Sequence, residues 1–350
     1  MQNDITIFDR DNLTEFVLTS YSDRDYGLPK NLLEADRQKF AVKPMGAQYE
    51  CMIRRYQDIC AVDRGYLLNK RWRLINDFPG SLDADEKRAS FLWQARRKRL
   101  FAFNKKRWVH AFWPSKLLFT DIFYWLSNML PALYLLRKHR IELPVILPAR
   151  HKNSPRDMQS LEAFKDLDIE FLEPRTLGLF NNVWTHDPIS FSRHGHRVYN
   201  AEALAETAGY LKDFFSSTTE KGPKRVYISR QKSRRRLANA DEIEPVIKRA
   251  GFTEIFLEDL DFRGQIQALG NAEAMISVHG AGMGNMLFQP GGATIIELTK
   301  PGIHGFFSGL SDAMGHDYYY LNGTGAEGKN SDIHIDRNSL EKLLGEIRLL

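Results

Sequence analysis

The residues best suited to chemistry in this 350-residue chain come late in it, where His279-Gly280-Ala281-Gly282-Met283-Gly284-Asn285 directly follows the apolar run Ala274-Met275-Ile276-Ser277-Val278. A buried strand that opens into glycines lets the backbone approach a ligand with no Cβ in the way. A helix beginning there offers unpaired N–H groups to an anion. That is phosphate-binding chemistry, to which Gly280, Ala281, Gly282 and Asn285 would contribute, with His279 beside them. The glycines alternate, which is not G-x-G-x-x-G, and no Lys-Ser/Thr follows them, so neither the dinucleotide fingerprint nor the P-loop fits.

A second group precedes it. Ile228-Ser229-Arg230 ends one predicted strand, and Arg234-Arg235-Arg236-Leu237-Ala238-Asn239 leads into a predicted helix. An arginine leaving the carboxyl end of a strand points toward the same edge as the glycine turn, and its planar fork suits phosphate oxygens. Arg230 and one of Arg235 or Arg236 are therefore candidate anion ligands, while Asn239 stands where a helix cap belongs. Glu297 closes the run Thr294-Ile295-Ile296-Glu297-Leu298 and would accept hydrogen bonds from ribose hydroxyls. For a base that removes a hydroxyl proton, the sequence offers Asp121, at the start of an apolar helix and the preferred of the two, and His279.

The elements that must position these residues alternate. Strands are predicted at 225–229, 254–257, 274–278 and 294–298, with helices at 241–250 and from Asp261, as cap, to Leu269. Strands alternating with helices of about ten residues imply a parallel, doubly wound sheet that binds ligands beyond its carboxyl edge. Leu143–Leu147 and Ile169–Leu172 predict two more strands, with a helix over 154–165 between them. Strands are also expected around Tyr66–Leu74 and Trp108–Trp113. The polar stretch 218–224 reads as a linker, giving an α/β domain at 1–221, a Rossmann-like domain at 222–335, and a C-terminal helix at 336–350 that would pack back on the first. No internal repeat or low-complexity tract is present.

Composition bounds the classes. With 43% hydrophobic and 27% charged residues the chain reads as folded, and its length suits two cores. A formal charge of +5 suits an acidic partner. Cys51 and Cys60 make neither a disulfide framework nor a C-x-x-C site, which fits a cytoplasmic compartment. No signal peptide is read at the N-terminus. Leu117–Leu136 is long enough to span a bilayer, but it carries Asp121, Ser127, Asn128 and Pro131. Its apolar residues recur at helical spacing, which predicts a buried or amphipathic helix. Lys87–Trp108 interleaves basic and aromatic residues and would serve nucleic acid or an anionic membrane. A peripheral membrane contact is the reading preferred here, with no nucleic acid as partner. The triplet Asp259-Leu260-Asp261 has the D-x-D form of a metal-dependent transferase, but Asp261 sits where a cap belongs.

Taken in order, Ser229-Arg230, Arg235-Arg236, Asn239, His279-Gly280-Ala281-Gly282, Asn285 and Ile296-Glu297-Leu298 resemble glycosyltransferase family 61, over roughly residues 115–325. The resemblance implies a GT-B-like α/β fold, two Rossmann-like domains with parallel sheets facing across a cleft, the first (1–221) on the acceptor side and the second (222–335) binding the nucleotide sugar. It implies inverting, metal-independent transfer of a sugar from a nucleotide-diphosphate sugar to a glycan or lipid-linked glycan acceptor, with no cofactor. It further implies a setting in capsule or lipopolysaccharide synthesis, in the cytoplasm or peripherally on the inner membrane face. Tyr124 stands where the family commonly has His, Asn128 near its usual acid, and Ala240 in place of a Glu.

Overall fold

The computed structural model describes residues 15–20, 27–40, 50–62, 67–69, 104–114, 122–193, 196–215, 222–300, 305–325 and 331–350. The chain divides into two compact units. One comprises residues 1–22, 47–120 and 127–193, the other 23–46, 121–126 and 194–350. The second unit therefore begins well before the expected boundary at 222 and includes a stretch from the first fifty residues.

The first unit is built on a seven-stranded sheet. Its strands are β1 (Glu15–Ser20), β2 (Glu50–Val62), β3 (Leu67–Leu68), β4 (Asn104–Trp113), β5 (Val145–Pro148), β6 (Ile169–Leu172) and β7 (Thr176–His186), in the order β1-β2-β7-β4-β5-β6 with β3 on β2. The expected parallel arrangement holds for β7, β4, β5 and β6. It fails for β1, β2 and β3, which run antiparallel to their neighbours, so this sheet is mixed. The reason is legible in β2, E-C-M-I-R-R-Y-Q-D-I-C-A-V. Such a polar-interrupted strand tolerates an antiparallel position with one wetter face, whereas parallel strands bury both. Trp108, Trp113, Phe180, Val183, Ile59 and Ile146 form the core on one side. Both cysteines are buried on β2, and burial pushes the Cys60 thiol up to about 11. Beyond β7 come the short strands β8 (Ser190–Arg193) and β9 (His196–Tyr199).

The second unit carries a five-stranded, wholly parallel sheet of β10 (Arg225–Ile228), β11 (Thr253–Ile255), β12 (Ala274–Val278), β13 (Thr294–Thr299) and β14 (Asp317–Asn322), in the order β11-β10-β12-β13-β14. Counted within the unit this is 2-1-3-4-5, the doubly wound order whose switch point falls between its first and third strands, here β10 and β12. The helices described are α1 (Arg37–Phe40), α2 (Ile122–Tyr124 and Leu130–Lys138 joined by a π-turn over Trp125–Met129), α3 (Pro155–Ser160), α4 (Ala201–Phe215), α5 (Ala240–Arg249), α6 (Phe262–Leu269), α7 (Phe306–Ala313) and α8 (Arg337–Glu346). The terminal helix α8 packs within this unit, not the first. Leu340, Leu343 and Leu344 join Tyr227, Ile243, Val246 and Ile276 in one core, and Arg249 of α5 bonds Glu341 of α8 at 2.7 Å. The unit boundary falls inside α2, and the helix is buried over Phe123–Leu133 as the apolar spacing predicts. Among the described residues no helix is long and apolar enough to cross a membrane.

Candidate active site

The switch point carries the two elements singled out for phosphate. Ser229-Arg230 leaves the end of β10 and His279-Gly280 the end of the adjacent β12. They do meet. A Cβ built on Gly280 would lie 2.2 Å from Nη1 and 2.6 Å from Cζ of Arg230, so the guanidinium rests directly on the bare Cα. The residues after Arg230 fold back around it. Its Nη2 donates to the Arg234 carbonyl at 2.8 Å and its Nε to that of Arg235 at 3.3 Å, and the Ser233 N–H bonds the Arg230 carbonyl at 2.9 Å. Arg235 sits at the crest of this loop in the left-handed region, φ 61°, and its Nη1 donates to the His279 carbonyl at 2.7 Å. Desolvation lowers both guanidinium pKa values, and for Arg230 the nearby Arg235 adds to it. Two half-buried cations that repel one another beside a glycine turn form a locus that an anion would relieve.

After Gly280 the chain runs as a 3-10 helix over Ala281–Phe288, whose first N–H groups have no partner within the helix. The other two glycines serve packing more than ligand approach. A Cβ on Gly282 would meet Leu257 Cδ1 at 2.8 Å, and one on Gly284 would meet Phe123 Cδ2 at 3.1 Å. Asn285 is fully buried, and its Nδ2 donates to the Gly282 carbonyl at 3.1 Å, which braces the turn from behind.

His279 is held from one side. Its Nδ1 bonds Glu297 Oε1 and its ring stands edge-on to Phe307, centroids 5.1 Å apart. Paired with a carboxylate, Nδ1 is the donor of this contact, which leaves Nε2 as the ring nitrogen that can exchange a proton. Glu297 is 2% exposed, and its Oε2 accepts from Tyr318 Oη. That changes the role read for Glu297. Both oxygens are spent inside the protein, so it orients His279 and does not meet a ribose. Tyr318 and Phe307 carried no signal in the sequence, because D-Y-Y-Y-L-N and F-F-S-G-L read as an ordinary strand and helix.

Two other candidates do not join the cluster. Arg236 turns outward and bonds Asp332 through its N–H, Nε and Nη2, so Arg235 is the arginine of the pair that the site retains. Asn239 occupies the N-cap position of α5 without capping it. Its Nδ2 donates to the Ile335 carbonyl at 2.9 Å and its Oδ1 accepts from the Ile335 N–H at 3.1 Å, which makes it a buried clamp. Asp121 lies outside the described residues, as do Tyr66, 70–74 and most of the basic stretch 87–108. In the first unit Asn128 is buried, donating to Ser190 Oγ at 2.5 Å and accepting from the Ser190 N–H at 2.8 Å, so its amide braces β8. Of the D-x-D triplet, Asp261 caps α6 by accepting from the Gly264 N–H at 2.7 Å, and Asp259 pairs with Lys232.

A sequence profile of the family described as Glycosyltransferase 61 matches residues 122–296, half of the chain. The chain belongs to the glycosyltransferase 61 family. The matched span contains Arg230, Arg235 and the His279-to-Asn285 turn and ends one residue before Glu297. This agrees with the resemblance read from the motifs and with the expectation of a glycosyltransferase. Among its curated relatives is the Beta-1,2-xylosyltransferase XYXT1 of Oryza sativa subsp. japonica, 36% identical over 80 residues, which are 22% of this chain and 17% of that protein. Another is the Protein O-linked-mannose beta-1,4-N-acetylglucosaminyltransferase 2 of Takifugu rubripes, 29% identical over 143 residues, 38% of this chain and 24% of the relative. The same-named protein of Tetraodon nigroviridis is 31% identical over 87 residues, 24% and 15%. This glycosyltransferase 61 chain thus spans under a quarter of the length of each relative it matches.

Proposed function

We propose that this protein transfers a sugar from a nucleotide-diphosphate sugar to a hydroxyl of a glycan acceptor, with inversion and without a divalent metal. The observation that carries the reading is the contact of Arg230 with Gly280 at the switch point of the second unit. In the reaction an acceptor oxygen bonds the anomeric carbon as the bond to the β-phosphate oxygen breaks. The electron pair leaves on the diphosphate and the acceptor proton passes to a base. Stabilising the departing charge is the dominant demand, and it is met by Arg230, Arg235 and the amide groups of Ala281 and Gly282. His279, oriented by Glu297, receives or returns a proton through Nε2. Asp121 is the alternative base offered by the sequence. The relatives named above are xylosyl- and N-acetylglucosaminyltransferases. A capsule or lipopolysaccharide acceptor, and a peripheral place on a membrane, are part of this proposal and rest on the sequence reading alone.

The test is a panel of nucleotide sugars with glycan acceptors, read by release of nucleoside diphosphate. Arg230→Ala is expected to lose about 10- to 100-fold in kcat/KM, the scale of one charged hydrogen bond, and His279→Ala to lose kcat. Turnover is expected to persist in EDTA. Turnover that EDTA abolishes and manganese restores contradicts the metal-free mechanism. Wild-type activity in Arg230→Ala contradicts the site itself.

A further inference from the structure

Among the described residues, Tyr318 is the ionisable side chain in contact with the His279–Glu297 pair that the proposed mechanism leaves without a task. It lies on β14, one strand beyond Glu297 on β13, where Ile295 is its register partner and Glu297 its diagonal neighbour. A tyrosine spans that diagonal, which a shorter side chain does not. Its hydroxyl donates to Glu297 Oε2 while His279 Nδ1 holds Oε1, which leaves no oxygen of a fully buried carboxylate unpaired. Burial and the Glu297 charge hold the phenol well above its ordinary pKa of 10.0, so it remains a donor at all working pH values.

The ring is itself fixed from the far side. The segment 27–40 lies along the free edge of β14. There the Lys30 N–H bonds the Tyr318 carbonyl at 2.8 Å, the Asn31 amide brackets the backbone of Tyr320, and the Phe40 ring lies 6.4 Å from that of Tyr318. Neighbouring Tyr320 is the register partner of Glu297, but its hydroxyl is bound elsewhere, donating to Asp36 at 2.9 Å and accepting from the Leu33 N–H at 3.2 Å.

We propose that Tyr318 is a positioning residue for His279, acting through Glu297: its phenol fixes the carboxylate rotamer and thereby the Nδ1-protonated tautomer that leaves Nε2 open. The inference rests on the reading of His279 as a proton-handling group, and its test separates the two. The primary readout is the His279 Nδ1 proton and nitrogen resonance in the full chain, which needs no substrate. Tyr318→Phe is expected to shift that resonance and broaden it by exchange. Glu297→Gln is expected to abolish it, since an amide N–H facing Nδ1 reverses the tautomer. A fluorotyrosine at 318, a stronger donor of nearly the same shape, is expected to move it opposite to Tyr318→Phe and covers the case in which that variant does not fold. Tyr320→Phe is the control, expected to lower Tm and leave the resonance in place. With an active donor, Tyr318→Phe is expected to reduce kcat about tenfold at unchanged donor KM. A resonance indifferent to both changes at 318, or moved equally by Tyr320→Phe, overturns the proposal. A resonance that moves as expected in a protein turning over no nucleotide sugar supports the positioning role and contradicts the transferase reading instead.

Discussion

Adding one methyl group at Gly280 separates site from scaffold. The backbone there is extended, φ 172° and ψ 167°, which alanine adopts without strain. The new Cβ, however, would stand 2.2 Å from Nη1, 2.6 Å from Cζ and 3.1 Å from Nε of Arg230. Ordinary contact begins near ~3.5 Å, so the guanidinium must retreat by more than ~1 Å. It is the end of a flexible side chain and can swing away at the cost of two bonds to backbone carbonyls. At about 0.5–1.5 kcal/mol each, partly exposed, the folding penalty of Gly280→Ala is about 1–3 kcal/mol, a Tm decrease of a few degrees. The diphosphate loses a positioned cation, about 1.5–3 kcal/mol, or roughly 10- to 150-fold in Kd. Calorimetric titration with nucleoside diphosphates reads the affinity, and a thermal melt reads the fold. The double variant Arg230→Ala/Gly280→Ala sharpens the test, because removing the arginine also removes the clash. Its loss is expected to match Arg230→Ala alone rather than the sum of the two. Unchanged affinity in Gly280→Ala, or additivity in the double variant, refutes the reasoning.

Three further outcomes follow from the geometry. Arg235, at φ 61°, holds a conformation that costs a non-glycine residue about 1 kcal/mol, so Arg235→Gly is expected to be about that much more stable than Arg235→Ala in denaturant titration, while both lose nucleotide affinity equally. Asn239→Ala strands the buried N–H and carbonyl of Ile335 and is expected to destabilise by about 2–4 kcal/mol with nucleotide Kd unchanged, whereas a loss of affinity at unchanged Tm would restore Asn239 to the site. Burial, reinforced by the charge of Lys212, pushes the His316 imidazole from 6.5 down to about 4. The unfolded chain then binds this proton before the folded one does. Its contribution is complete above about pH 6.5 and is lost as pH falls toward 4, amounting to about 3 kcal/mol, and unfolding curves of His316→Gln are expected to be flatter across that window.

The second unit was the more legible because its information is local. Ala274–Val278 matches β12 end to end, Asp261 caps α6 as its type and place suggest, and the glycine turn announces itself by composition. The first unit depends on pairing between distant segments. The antiparallel β2–β7 ladder joins residues more than a hundred positions apart, and T-L-G-L-F-N-N-V-W-T-H shows no clean alternation to mark β7 as a strand. At the site, residue type forecast which groups would matter better than it forecast their partners. Glu297 looked free for a ribose because nothing in I-I-E-L shows Tyr318 and His279 closing on its two oxygens from neighbouring strands. Arg236 and Asn239 sit in the same motif as Arg235, yet Asp332 and Ile335, nearly a hundred residues later, claim them. Such partners are set by tertiary contact, which spacing within a motif does not encode.

The most direct measurement is a crystal structure of the protein soaked with a nucleoside diphosphate. The account predicts the phosphates between β10 and β12, with oxygens on the Arg230 and Arg235 guanidinium groups and on the amide N–H groups of Ala281 and Gly282. Phosphates bound on any other face, with Arg230 still folded against the Arg234 and Arg235 carbonyls, would contradict it.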